Sequence, residues 1–165
     1  MIEGGIRSIE KNVNADTHYP LNLFYSGGSG EHSLAAYAYM KATHDPNSVV
    51  VKQGLKSSLS FVRSLSGRDP GGHSKTVYSA AVTTLLLAEV DSIAYRDELK
   101  TLEKYFRGAQ FRNGAYGYRG DSEGDVSQTQ YAILALWTLD RAGLVIDYAG
   151  VEKTIQWLLR VQDVS

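Results

Sequence analysis

The sequence repeats one pattern, in which a glycine- and tyrosine-rich turn leads into an apolar helix, a second turn and an amphipathic helix. The two clearest apolar segments begin at Tyr78 and Tyr131, 53 positions apart. The amphipathic segments that follow end at Gln110 and Gln162, 52 positions apart. A period of about 45 to 55 residues with two helices per unit is typical of helical repeat proteins. The pattern therefore predicts an all-α fold with no strand.

A weaker copy of the same pattern begins near His32 and closes at Leu65. We expect a repeat domain over residues 31–165 that contains about three helix hairpins. The hairpins are predicted at residues 31–66, 73–110 and 125–163. Residues 1–30 contain five glycines and show no sustained periodicity, which indicates an irregular N-terminal lead-in with room for one short helix.

The two helices of each unit differ in polarity. Residues 77–88 and 131–139 are almost wholly apolar, which predicts helices that are covered on most sides. The second helices carry a single apolar stripe, as Leu99, Leu102 and Phe106 do at i, i+3 and i+7. We therefore expect an inner layer of apolar helices and an outer layer of amphipathic ones. Trp137 and Trp157 fall within these helices and are interpreted as packing residues, and Gly143 as a left-handed helix cap.

The composition excludes several classes of function. Seventeen Lys and Arg against 18 Asp and Glu leave a formal charge of −1, so the chain lacks the basic field that nucleic acid or an anionic membrane requires. The absence of Cys excludes disulfides, thiolate nucleophiles and Cys-ligated zinc. No apolar run reaches the ~18 residues of a transmembrane helix, and the first residues do not resemble a signal peptide. We expect a soluble protein, cytoplasmic by default.

The segment from Gln110 to Tyr118, Gln-Phe-Arg-Asn-Gly-Ala-Tyr-Gly-Tyr, resembles the Gln…Gly…Trp turn of the squalene cyclase and protein prenyltransferase β-subunit repeats. Tyr116 stands where Trp is usual, and residues 128–139 resemble the inner helix that follows. The resemblance covers about residues 31–163 and implies an α/α toroid of antiparallel hairpins. Three hairpins are fewer than a closed toroid contains. We therefore expect a fragment or one arc of a larger ring, whose exposed flanks favour self-association.

In such a toroid, the turns before the inner helices line one mouth of the cavity. The third turn places Tyr118, Asp121 and Asp125 together, and the resemblance implies an acid that protonates an alkene or epoxide beside tyrosines that stabilise cations. These three residues are the catalytic candidates. The structural alternative is that Asp125 caps a helix while Asp121 and Glu123 are solvated loop charges. The Asp-x-Asp-Asp motif of the cyclases and the Cys zinc ligand of the prenyltransferases are absent, which leaves enzyme activity uncertain.

Ligand-binding candidates surround the same mouth: Tyr116, Tyr118, Arg119, His73, Lys75 and His32. The glycine-rich residues 26–30 and 71–75 precede helices, where backbone N–H groups either cradle a phosphate or form simple turns. By resemblance, Lys75 and Arg119 would meet a diphosphate. His32, His73 and Asp125 occupy similar places at successive helix starts, so they either converge on zinc or a polar ligand or act as caps and rim residues.

No cofactor and no metal site is predicted, although Mg, Ca or Zn stays open. Asp121, Glu123 and Asp125 alternate as calcium ligands do, but the downstream bidentate Glu is missing. Two functions remain. The first is a repeat domain whose concave apolar and aromatic surface binds a protein partner or an apolar, isoprenoid-like small molecule. The alternative is an isoprenoid-handling enzyme, for which the tyrosines and carboxylates of the third turn should converge on one cavity with a raised carboxyl pKa.

Overall fold

The structure, a computed structural model, describes residues 2–14, 30–65, 76–118 and 120–162, which form seven helices joined by turns. The helices are α1 (Ile2–Asn14), α2 (Gly30–Thr43), α3 (Val49–Leu65), α4 (Thr76–Asp91), α5 (Arg96–Ala109), α6 (Val126–Arg141) and α7 (Tyr148–Val161). These ranges contain no strand, so the all-α prediction is confirmed for them. None of the helices in these ranges combines the length and apolar content needed to cross a bilayer.

The helices follow one another as the pairs α2–α3, α4–α5 and α6–α7, close to the predicted hairpins. The turn within the last pair shows why its boundary was predictable. Gly143 adopts the left-handed conformation, with φ 75°, directly after the cap residue Ala142. Its N–H donates to the Asp140 carbonyl over 2.9 Å, and the Leu144 N–H donates to the Leu139 carbonyl over 3.1 Å. The predicted glycine cap is therefore confirmed.

Helix α4 lies in the middle of the array, because it packs against both α2 and α6. It is buried along almost its whole length, as its even distribution of apolar residues predicts. Helix α6 differs, since Leu134 and Trp137 on one of its sides are exposed. Residues 131–139 are thus covered on most sides, as expected, but one side of α6 is open. Among the described helices, α4, α5 and α7 pack on α6, and the side that carries Trp137 has no neighbour.

The close contact between α2 and α3 depends on one glycine. A Cβ atom added to Gly54 would lie 2.2 Å from the Cβ of Ala36, far inside contact distance. Three buried hydroxyls then tie these helices to α4. The Ser33 Oγ lies 2.7 Å from the Ser58 Oγ and 3.3 Å from the Thr83 Oγ1. Because each buried hydroxyl has a partner, its burial avoids the cost of an unsatisfied polar group.

Helix α1 covers part of the α2–α3 hairpin. Ile6 and Ile9 pack against a cluster of buried residues: Tyr39, Met40, Val50 and Val51. The Tyr39 hydroxyl donates to the Glu10 carboxylate over 2.8 Å, and this hydrogen bond raises the pKa of Tyr39. The opposite side of α1 exposes Glu3, Arg7 and Lys11 to solvent. This end of the array is therefore closed by a helix with a charged outer surface.

Candidate functional site

The turn between α5 and α6 is held in place by the Gln110 side chain. Its Nε2 atom lies 2.8 Å from the Gly150 carbonyl, 2.9 Å from the Thr154 Oγ1 and 3.2 Å from the Gly114 carbonyl. One amide therefore connects the end of α5, the turn and the first half of α7. The Thr154 Oγ1 also donates to the Gly114 carbonyl over 2.8 Å, which fixes the turn on α7.

Gly114 is one of the glycines of this turn that cannot be replaced by another residue without strain. Its φ is 96°, and a Cβ atom there would lie 2.4 Å from the Lys153 carbonyl oxygen. Both the left-handed conformation and the close backbone approach favour glycine. The spacing from Gln110 to Gly114 thus has a local physical cause, because the glutamine reaches the carbonyl of the glycine.

Tyr116 lies in the core and not at the edge of a cavity. It is 2% exposed, and its ring packs edge to face on Phe106, with 6.3 Å between ring centroids. Its N–H donates to the Thr129 Oγ1 over 3.0 Å, and its carbonyl accepts from the Asp125 N–H over 2.8 Å. Burial raises the pKa of Tyr116. In this structure Tyr116 is a packing residue that joins α5 to the start of α6.

The carboxylates of this turn are engaged in local hydrogen bonds. The Asp125 Oδ1 accepts from the Gln128 N–H over 2.8 Å and from the Ser127 hydroxyl, so the helix-cap interpretation of Asp125 is confirmed. The hydrogen bonds from Ser127 and Gln128 lower the pKa of Asp125. The Asp121 Oδ1 accepts from the Glu123 N–H over 2.9 Å. Both carboxylates therefore accept backbone hydrogen bonds that stabilise the turn.

Of the remaining candidates, Tyr118 and His32 lie within the described residues. Tyr118 is exposed in the turn, and His32 lies half-buried in the first turn of α2, where burial lowers its pKa. His73, Lys75 and Arg119 lie outside the described residues, so their convergence with His32 or Asp125 stays a prediction. Within the described ranges, no three His, Asp or Glu side chains are grouped so that they could hold a metal ion.

A groove that was not predicted runs along the open side of α2, α4 and α6. It encloses about 370 Å³. Helix α2 contributes Tyr37 and Lys41, α4 contributes Leu85 and Glu89, and α6 contributes Leu134, Trp137, Thr138 and Arg141. Apolar and aromatic side chains thus share one concave surface with charged groups. We call this surface the groove.

Trp137 is the most prominent side chain of the groove, because 54% of its surface is exposed. Its interpretation as a packing residue is therefore wrong. Trp157 differs, since it is buried and its indole N–H donates to the Glu123 carbonyl over 3.1 Å, which confirms the packing interpretation there. The physical difference lies in the neighbours. Trp157 packs against the α5–α6 turn, whereas the side of α6 that carries Trp137 has no described helix beside it.

The groove carries an excess of positive charge. The Lys41 Nζ lies 3.2 Å from a Glu89 carboxylate oxygen, in an ion pair that joins α2 to α4. The guanidinium of Arg141 lies 4.9 Å from the centre of the Trp137 ring, which is a cation–π contact. Arg141 forms no ion pair with a carboxylate of the described residues. Its charge is thus directed to an exposed aromatic ring and to solvent.

One sequence signal for the groove was present. Lys41, Glu89 and Arg141 are charged residues near the ends of otherwise apolar helices, at similar places in the three units. Charges at these places mark the side of the inner helices that stays open to water.

No protein-family model, curated protein or solved structure matches this chain.

Proposed function

We propose that this chain is a helical repeat domain that binds an amphiphilic small molecule, with an apolar body and an anionic group, in the groove. One observation carries the proposal: the exposed Trp137 ring and Leu134 lie beside Arg141, whose charge no described carboxylate neutralises. Small-molecule sites are concave and mostly apolar, contain few polar groups, and enclose about 300 to 1,000 Å³. The groove is concave and of this size, and its lining combines apolar and aromatic side chains with the charged Lys41, Glu89 and Arg141.

The two ends of the expected ligand follow from the two kinds of side chain. Tyr37, Leu134 and Trp137 offer an apolar wall, and covering that wall removes apolar surface from water. Arg141 offers a planar set of N–H donors that suits a carboxylate or a phosphate. A neutral apolar ligand would cover the wall and leave the guanidinium unpaired. An anionic amphiphile would cover the wall and also pair with the guanidinium.

We also propose that the array is one arc of an α/α toroid related to the squalene cyclase and prenyltransferase β-subunit repeats. The three successive hairpins and the Gln110 turn support this relation. An isoprenoid phosphate is one member of the proposed ligand class. The alternative, an isoprenoid-handling enzyme, has less support. Its candidate acid Asp125 caps a helix with a lowered pKa, whereas a proton donor needs a raised one.

Calorimetric titration with two matched pairs of probes tests the proposal. The pairs are decanoate with decanol, and farnesyl diphosphate with farnesol. We expect the anion of at least one pair to bind more tightly than its alcohol, and Arg141→Gln to reduce that preference about tenfold by removing a charged hydrogen bond. No binding of any of the four probes contradicts the proposal. Turnover of farnesyl diphosphate by the wild-type protein would favour the enzyme alternative.

A matched pair of variants locates the binding site. Thr138 lines the groove, and its hydroxyl donates to the Leu134 carbonyl over 2.8 Å. Thr101 on α5 makes the same local bond, to the Asp97 carbonyl over 3.0 Å, away from the groove. Thr138→Trp should fill the groove and abolish binding, whereas Thr101→Trp should leave it unchanged. Equal effects of the two substitutions would place the ligand elsewhere.

A further inference from the structure

The helical array has one edge that no described helix covers. It is formed by the α6–α7 hairpin, which exposes six large apolar side chains: Val126, Leu134, Trp137, Tyr148, Ile155 and Leu159. Leu134 and Trp137 also line the groove with residues of α2 and α4. We call this set of six side chains the open edge. We infer that two copies of this chain pair through their open edges to form a symmetric dimer.

The inner helices show that this face of the repeat is built to be covered. Ala81 and Thr84 of α4 are fully buried, and Ala81 belongs to the same apolar cluster as Ala132 and Ala135 of α6. The residues 53 positions later are Leu134 and Trp137. In α4 this face receives the next helix. In α6 the same face carries larger apolar side chains and is exposed.

The outer helices show the same contrast in their charges. In α5, the Arg107 guanidinium pairs with Glu103 over 2.6 Å. The end of α5 lies beside the first half of α7, since the Gln110 Nε2 donates to the Gly150 carbonyl over 2.8 Å. The residues 52 positions later are Ile155 and Leu159, exposed by 50% and 66%. An ion pair in one repeat is thus replaced by two apolar side chains at the open edge.

The exposed area is sufficient for a stable contact. Six large apolar side chains, each about half exposed, present on the order of 700 Å² per copy, close to the ~800 Å² that each partner buries in a standard interface. Isolated exposed apolar residues are common on protein surfaces, whereas apolar patches larger than a few hundred Å² are typical of interaction sites.

A second copy meeting edge to edge is the occupant that fits this surface. The other end of the array is covered by α1, whose outer side exposes Glu3, Arg7 and Lys11. Stacking copies head to tail would bury these charges against apolar side chains, at a cost in desolvation. Pairing two open edges about a two-fold axis covers apolar surface with apolar surface and produces a closed dimer.

Sedimentation equilibrium of the wild-type chain and three variants tests this pairing. We expect a dimer, and we expect Ile155→Glu and Leu159→Glu each to raise its dissociation constant ~100-fold or more, because a carboxylate would be buried without a partner. Ile93→Glu is the control, since Ile93 is an equally apolar residue that is 83% exposed in the α4–α5 turn. A wild-type monomer at high micromolar concentration overturns the inference, as does a dimer that both edge variants retain.

Chemical crosslinking gives a second measurement that does not depend on the stability of the glutamate variants. The chain contains no Cys, so a single introduced thiol is the only site for a short bismaleimide. Ile155→Cys should give covalent dimers and Ile93→Cys should not. Equal crosslinking of both variants contradicts an edge-to-edge dimer. Leu134 and Trp137 belong both to the groove and to the open edge, whereas Ile155 and Leu159 do not line the groove. Variants of Ile155 and Leu159 therefore test the dimer separately from ligand binding.

Discussion

Helices α4 and α6 occupy the same place in successive repeats and differ in what surrounds them. Thr84 of α4 is fully buried, whereas Trp137, which stands 53 positions later in α6, is 54% exposed. Helix α4 has an inner helix on each side, and among the described residues α6 has one on a single side. The comparison teaches that apolar periodicity reports which surface a helix can bury. Whether that surface is buried depends on its neighbours.

The largest difference in stability is expected when the residues at these two positions are exchanged. Thr84 is packed on all sides, and its hydroxyl donates to the Ala80 carbonyl over 2.8 Å. Thr84→Trp should reduce the free energy of unfolding by about 3 kcal/mol or more, through overpacking. Trp137→Thr should change it by less than about 1 kcal/mol. Urea unfolding at low protein concentration measures both, and similar losses would contradict the assigned burial.

The glutamines that end the two outer helices offer a second, smaller contrast. Gln110 connects the turn to α7, whereas Gln162 is exposed after the end of α7. Gln110→Leu should cost about 2 kcal/mol, because it removes the hydrogen bonds that join the end of α5 to the turn and to α7, while Gln162→Leu should cost less than about 0.5 kcal/mol. The same urea titrations measure this difference. If the two variants lose equal stability, the Gln110 hydrogen bonds contribute little.

The smallest predicted change in the free energy of unfolding concerns the helix cap at the start of α6. Asp125→Ala should cost about 1 kcal/mol at pH 7 by removing the helix cap. The folded-state pKa of Asp125 is lowered, so its contribution is present above the unfolded pKa of ~3.9 and is lost as the pH falls through the folded pKa. The stability difference between wild type and Asp125→Ala should therefore shrink as the pH falls below the unfolded pKa and through the folded pKa.

Asp125→Asn serves as the control for the cap, because Asn also caps helices but does not titrate. It should remain within about 0.5 kcal/mol of the wild type at pH 7. A difference between wild type and Asp125→Ala that stays constant from neutral to acid pH would contradict the assigned role of the carboxylate.

Features that depend on local interactions were predictable from the sequence. Gly143 follows the last turn of α6 and adopts the left-handed conformation, and Asp125 precedes α6 and caps it. Both roles involve atoms within a few positions along the chain. The environments of Tyr116 and Trp137 differ from those expected from the sequence. Tyr116 was expected at a cavity and packs on Phe106, and Trp137 was expected to pack and lines the groove.

The all-α class, the succession of helices and the two ends of α6 at Asp125 and Gly143 followed from the sequence, because short-range hydrogen bonds and apolar periodicity decide these features. The tertiary structure alone decided which apolar surface is covered, since burial depends on helices that are distant along the chain. The groove follows from that arrangement. Lys41, Glu89 and Arg141 lie far apart in sequence, and the side-by-side packing of α2, α4 and α6 places them on one surface beside Trp137.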